Sequence, residues 1–313
     1  MNTRISPTRA SVALACAVAF LGAGCGTDSK SAGPPASAMP VPWQSPSAAV
    51  ALLPTEPAAT PSTSPSVLAI SPSATLPSAS PPVSQVVVSV YLVSTGHNAG
   101  HIAASHRVVP GPAVARAAVE ALLAGPTETD AAFGYVSKIP SNVHLSGLTM
   151  SDATARLSLT GPTTVPAAGI AQLVCTLSQF GSVDRVALSL NGGVLTIPGA
   201  GVSLTRSDVE ALLPVVLVES PTVGETVHTP VRVVGSANTF EAVFRLQVTD
   251  WDGLIVADVV VHAASGTGTR GAFDATIPFT VNRAGIGELI VSYDSPKDGS
   301  RVVVAEIPLH VST

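Results

Sequence analysis

Charge is scarce in this chain. Fifteen basic and twenty acidic residues are spread over 313 positions, and only three of the basic ones are lysines (Lys30, Lys138, Lys297). A nucleic-acid partner needs a clustered positive surface, so this composition argues against one. Aromatic residues make up only 4 % of the chain, which leaves few of the flat platforms on which sugars stack. Cysteine is rarer still: Cys16, Cys25 and Cys175. The first two fall early, within and at the end of an apolar run. Cys175 is then alone in the rest of the chain, where no intramolecular disulfide can form. It sits in Ile170-Ala171-Gln172-Leu173-Val174-Cys175-Thr176-Leu177, whose helical apolar spacing points to a small core residue rather than a nucleophile.

What the start of the chain does have is Arg4 and Arg9 followed by an apolar stretch over residues 10–24. A basic start, a short hydrophobic middle and small residues before a break are the layout of a secretory signal. The stretch falls short of the roughly 20 residues needed to span a bilayer. Leu21-Gly22-Ala23-Gly24-Cys25 resembles a bacterial lipobox, although its large aliphatic residue stands four places before the cysteine instead of three. Cys16 is the weaker rival because its preceding apolar stretch is shorter. The resemblance implies lipidation at Cys25, removal of a signal peptide over 1–24, and a lipid anchor holding the chain to the outer face of the cell membrane. Loss of Arg4 and Arg9 would change the formal net charge from −5 to −7 (−5 − 2).

Residues 25–85 are expected to be a disordered tether. From Ser31 onward they are mainly Pro, Ser, Ala and Thr, with Glu56 the only charge and Trp43 the only aromatic. Such a segment has little to bury and no helical or strand period. As polyproline II it would reach at most about 170 Å, and as a flexible coil about 40 Å. A plain spacer and a glycosylated stalk both fit this composition.

The remaining residues change character near 199–214, which reads as a linker with a short helix. Residues 86–198 read as an α+β module, a small sheet with two helices packed on one face. Strands are expected over 86–93, 102–109, 143–150, 154–159, 184–190 and 194–197. His97-Asn98-Ala99-Gly100 and Asn191-Gly192-Gly193 supply turns. The spacing of Val114, Ala117, Ala118, Ala121 and Leu122 predicts a helix ended by Gly125-Pro126, and a second helix opens at Pro166 and runs to Phe180. Glu120 on the first helix reads as solvent-exposed.

Residues 215–313 read as an all-β immunoglobulin-like sandwich. Its strands are expected over 215–219, 226–235, 242–249, 254–262, 271–280, 287–293 and 301–311. Thr205 and Asp208 form an approximate capping box ahead of it, and Pro214 closes that short helix. No cysteine pair links two sheets, so the sandwich rests on aliphatic packing.

Both modules carry a family resemblance. Val114-Ala115-Arg116-Ala117-Ala118-Val119-Glu120-Ala121-Leu122-Leu123-Ala124-Gly125-Pro126-Thr127, Ile139-Pro140, Gln172 through Phe180 and Val183-Asp184-Arg185-Val186 are similar to the sporulation and spore germination domain, GerMN. Glu219-Ser220-Pro221, the run from Pro230 to Asn238, Phe240-Glu241-Ala242 and Gly266-Thr267-Gly268 resemble the immunoglobulin-like domain that follows GerMN on bacterial surface proteins. The resemblance implies a non-enzymatic extracytoplasmic module. It implies no cofactor and no particular germination role.

Several motifs suggest chemistry and read more simply as structure. Gly266-Thr267-Gly268-Thr269-Arg270-Gly271 has the spacing of a dinucleotide fingerprint, but a strand follows where that chemistry needs a helix. His97, His101 and His106 could be a metal trio, yet a hairpin would scatter them. Asp250 and Asp252 before Gly253 read as a tight turn and lack the distal ligands of a calcium loop. No strand–Ser–helix elbow organises a catalytic triad. The expected role is a structural or protein-interaction module, with loops 236–241 and 264–270 as contact surface and Asn238, Phe240 and Arg270 as exposed contacts. The alternative is a carbohydrate or peptidoglycan-binding module, for which Trp251 is the candidate platform. Protein or cell wall in the envelope is the partner in either case.

Overall fold

A computed structural model describes residues 84–96, 99–162 and 164–313. The segments expected as a lipobox and, up to residue 83, as a tether, together with His97, Asn98 and Thr163, lie outside the described residues.

The described residues open with a hairpin of β1 (Gln85–Ser94) and β2 (Ile102–Pro110), paired from Gln85↔Pro110 to Val93↔Ile102. Helix α1 (Val114–Leu123) buries Ala118, Val119 and Leu122, one stripe at helical spacing. Gly125, at φ +89°, takes the left-handed conformation just beyond its end and donates its N–H to Leu122 O. Glu120 is exposed and pairs with Arg116 one turn back. A third helix, α2 (Glu128–Ala132), was not expected, because five residues are too few to show a period. A capping box holds it: Thr127 Oγ1 accepts from Asp130 N, and the Asp130 carboxylate accepts from Thr127 N.

The rest of the first module is β3 (Tyr135–Val136), β4 (His144–Ser151), β5 (Thr154–Thr160), α3 (Ala167–Leu177), β6 (Arg185–Leu190) and β7 (Gly193–Leu195). These strands form two sheets, where one was expected. The orders are β2-β1-β3 and β4-β5-β6-β7. β5 and β6 are parallel, so α3 serves as the crossover between them. One core joins both sheets to both long helices, with Leu92, Leu122, Leu157, Leu173 and Leu188 all buried in it.

Helix α3 is more than an apolar stripe. The side of β1 away from β2 pairs with β3 only at Val93 and Ser94. Along the rest of that side, side chains of α3 and of the turn just after it replace a strand. Gln172 Nε2 donates to Tyr91 O, Thr176 Oγ1 accepts from Tyr91 N, and the Gln179 amide both accepts from Ser89 N and donates to Ser89 O. An edge whose N–H and C=O groups would otherwise be buried unpaired is thereby satisfied. Cys175, fully buried on the same helix, has its thiol pushed up to about 12 by burial, which keeps it protonated and unreactive.

The segment 199–214 packs more tightly than a linker. Leu204 bridges to Val186 across the first module, and Leu204, Val209 and Leu213 are buried in its core. The short helix within it is a 3-10 turn, Arg206–Leu212, closed by the Thr205–Asp208 capping box.

The second module contains β8 (Val216–Ser220), β9 (Thr226–His228), β10 (Val231–Ala237), β11 (Val243–Thr249), β12 (Ile255–His262), β13 (Gly271–Ile277), β14 (Gly285–Asp294) and β15 (Arg301–Ser312). They form a sandwich of β13-β10-β8 against β12-β11-β14-β15-β9. The single strand expected over 226–235 is two strands, one in each sheet. Pro230 lies between them and has no N–H for a ladder, so the chain can change sheets there. The core is aliphatic around an edge-on Phe244–Phe273 pair, with centroids 4.8 Å apart.

Polar side chains join the two modules. Tyr91 Oη donates to Glu219 Oε1 at 2.8 Å, and Arg206 reaches both Glu219 (2.6 Å) and Tyr91 Oη (2.6 Å). His106 on β2 pairs with Glu225, and its N–H donates to Thr222 Oγ1. Burial acts to raise the Glu225 pKa, but bonds from His106 and Thr222 N outweigh it and hold the carboxyl below its usual range. Leu217 and Val223, from the second module, are buried in the core of the first.

Candidate functional site

Loops 238–242 and 264–270 lie together at one end of the sandwich. Thr267 N donates to Thr239 O, Glu241 N to Thr267 Oγ1, and Gly268 N to Asn238 Oδ1. Gly266 permits this contact: a Cβ there would lie 2.5 Å from both Ala242 N and Thr239 O. Glu241 (φ +53°) and Ala242 (φ +60°) occupy the left-handed region in succession, a conformation that costs non-glycine residues about 1 kcal/mol or more each. Such strain persists only where surrounding bonds fix it, and here both loops do so.

Asn238 and Arg270, expected as exposed contacts, are used inside the protein. Arg270 is largely covered, with its side chain 13 % exposed. Its guanidinium pairs with Glu210 and donates to Ser236 O and Pro214 O. Asn238 Nδ2 donates to the same Glu210 carboxylate at 3.0 Å. Burial pushes the Glu210 pKa up, but donation from Arg270 and Asn238 more than offsets it and leaves the carboxyl below its ordinary value. Both residues thus tie the loops to the 3-10 turn. Glu210 was missed in the sequence, since nothing in a local pattern links position 210 to 270.

Phe240 lies at the surface. It is 51 % exposed and stands at the rim of a cavity of about 220 Å³. Val243, Val260 and Tyr293 supply further apolar wall, and Glu241 and Asp294 bring two carboxylates to it. Among the described residues no basic side chain pairs with Glu241, and Asp294 meets Arg301 only at 3.7 Å. Arg245, also in the wall, is engaged by Asp258 at 2.6 Å.

Trp251 lies at the other end of β11 from Phe240, about 20 Å away along a seven-residue strand. The Arg283 guanidinium covers its ring at 3.4 Å from the centroid, and its Nε1 donates to Asn282. A sugar would have to displace that cation to stack on this face. The other sequence motifs resolve into turns and pairs. Asp250 Oδ1 accepts from Asp252 N and Leu254 N, as in an Asx turn. Residues 266–271 run straight into β13, so no helix N-terminus follows the glycines. His106 is taken by Glu225, and His97 is outside the described residues.

A second cavity, of about 210 Å³, lies between the modules. Ile102, Phe133 and Tyr135 line it from the first module, and Leu217, Val304 and Ile307 from the second.

The fold therefore defines an α+β module joined to an immunoglobulin-like sandwich. Residues 89–196 match the family model for sporulation and spore germination, and residues 215–300 match that for the immunoglobulin-like domain of bacterial spore germination. The chain carries a GerMN domain followed by the germination-associated immunoglobulin-like domain. Similar solved structures include the first GerMN domain of the sporulation protein GerM from Bacillus subtilis, at 20 % identity over 39 % of this chain and 98 % of that one (TM-score 0.30). The tandem GerMN domains of the same protein align at 16 % identity over 62 % of each chain (TM-score 0.33). A putative lipoprotein from Clostridium perfringens aligns at 13 % identity over 41 % of this chain and 93 % of that one (TM-score 0.27). No curated protein matches.

Proposed function

We propose that this chain is a non-enzymatic envelope lipoprotein whose joined domains form a protein-interaction module. In this reading Cys25 carries the lipid anchor on the outer face of the cytoplasmic membrane, and residues 25–83 set the module away from it. The observation that carries the reading is the division of labour among polar side chains. Tyr91, Arg206, Glu219, His106, Glu225, Glu210 and Arg270 are occupied in joining elements, whereas Phe240, Glu241 and Asp294 face an open cavity. Fixing two domains together and presenting one apolar–acidic surface suits recognition of another protein.

The test is site-specific photo-crosslinking in intact cells. A photoreactive residue in place of Phe240 should give one discrete protein adduct, and the same residue at exposed Val194 on β7 should not. Saturable retention on isolated cell wall, weakened by Trp251→Ala, together with no protein adduct, would replace this reading with the glycan-binding one.

A further inference from the structure

We infer that the free edge of β12 and the Phe240 cavity together receive an extended segment of a partner protein, added as a strand and inserting a lysine or arginine into the cavity. This inference rests on the interaction-module reading and names the kind of partner.

Among the described residues, β12 is the outer strand of the five-stranded sheet and pairs with β11 alone. The ladder phase fixes which backbone groups face outward. Ala263 N donates to Ala242 O, so the bonded pairs continue as 244/261 and 246/259. The N–H and C=O of Asp258, Val260 and His262 then point away from β11, to a side where no strand of the described residues pairs. Edges of this kind are usually blunted by lysine, proline or a covering element. β12 reads Ile-Val-Ala-Asp-Val-Val-Val-His, with neither lysine nor proline; its one charge, Asp258, is paired with Arg245 on β11, its bulge lies at 255–257 and leaves 258–262 regular, and Ile255 and Val260 are each about half exposed. It is a template for strand addition.

The cavity decides the chemistry of the occupant. Val260 belongs both to the edge and to the cavity wall. A residue placed opposite Val260 on an added strand projects from the same face of the sheet, beside the cavity. Its walls accept a methylene stem against Phe240, Val260 and Tyr293, and its rim sets Glu241 and Asp294 against a terminal charge; Arg245 in the same wall is held by Asp258, and Arg301 approaches Asp294 only to 3.7 Å. A long cationic side chain has that combination of apolar stem and charged head. A second copy of this chain fits less well. Its own β12 holds no lysine or arginine to offer, and a two-fold pairing would bring two acidic rims together.

The probe is an amidated peptide, Thr-Val-Thr-Lys-Thr-Val-Thr, carrying a fluorescein label on its amino terminus and followed by fluorescence anisotropy as the full-length chain in detergent is added. Saturable binding is expected, weakened at least tenfold when the lysine is replaced by norleucine and also by Glu241→Gln with Asp294→Asn. Val260→Pro should abolish it, since that N–H faces outward and its loss spares the β11 ladder. The Gln/Asn variant leaves β12 intact and decides the matter if the proline variant unfolds. Absent binding, or binding indifferent to the lysine and to both variants, overturns the inference. So does a dimer in gel filtration that Val260→Pro dissociates, since the edge would then belong to a second copy. If the peptide fails while a protein adduct still forms at position 240 in cells, the interaction-module reading stands and the β12 assignment falls.

Discussion

The Arg206 guanidinium lies over the Tyr91 ring, 5.1 Å from its centroid, while one of its nitrogens donates to that ring's hydroxyl at 2.6 Å. A residue from the segment between the modules is thereby bound to the first strand of the fold, and Glu219 on β8 closes the triangle. Burial pushes the Tyr91 phenol well above its usual range, so it stays neutral and serves as a hydrogen-bond relay.

Arg206→Met should loosen this joint. It leaves Glu219 and the Tyr91 hydroxyl without their shared cation in a half-buried place, a loss of about 2 kcal/mol. In calorimetry, the expected outcome is a Tm several degrees lower and a single transition that broadens or splits as the modules uncouple. An unchanged, single transition would contradict the role of this triangle.

Asp130 sets an acid limit on stability. Its side chain is 2 % exposed and meets Arg107, while Ser105 Oγ donates to it at 2.6 Å. Burial raises its pKa, but the bonds from Ser105 and Thr127 and the charge of Arg107 outweigh that and leave it depressed. A depressed carboxyl contributes stability that is complete above its unfolded value, near 4, and is lost as pH falls through the folded value. Urea midpoints measured from pH 6 down to pH 2 should therefore fall below about pH 4. Asp130→Asn should cost about 3 kcal/mol at pH 7 and flatten that acid limb. An acid limb identical in the variant would place the titration elsewhere.

Arg270 and Phe240 should separate in their effects. Arg270→Ala removes the clamp on Glu210, Ser236 and Pro214, so thermal stability should drop by about 1–3 kcal/mol through unpaired buried groups. Phe240→Ser removes a half-exposed side chain and should leave the melt within about 0.5 kcal/mol of the parent. The same Phe240 change should abolish adduct formation from a photoreactive residue at Val260. Equal melts for the two variants would mean that the clamp contributes nothing.

Cys25→Ser tests the anchor. The variant should move from the membrane fraction to the soluble or medium fraction, as an unlipidated chain has only its protein surface to hold it. Unchanged partitioning would mean that the attachment is not at Cys25.

Much of the fold was legible along the chain. Gly125-Pro126, Asn191-Gly192-Gly193 and the Thr205–Asp208 box are local signals, and each appears where its spacing put it. The elements that escaped are those without a local period. α2 is a single short turn of helix, and β9 is three residues that take a different sheet from β10. Whether the first module had one sheet or two depended on which edge β4 chose, and alternation within β4 cannot express that. Of the expected contact residues, Phe240 was found exposed because a large apolar side chain in a turn has nowhere local to pack. Arg270 was misread because an arginine in a glycine-rich loop looks free until its partner folds against it.

The sequence by itself determined the two modules, their order and the positions of most turns, because those features follow from residues within a few places of one another. Tertiary structure alone decided the employment of the polar side chains. Gln179 completes the edge of a strand 90 residues away, and Glu210 is met by an arginine 60 residues further on. Burial sets the reason: a polar group removed from water must take whichever partner the packed chain brings within reach, and sequence distance places no bound on that choice.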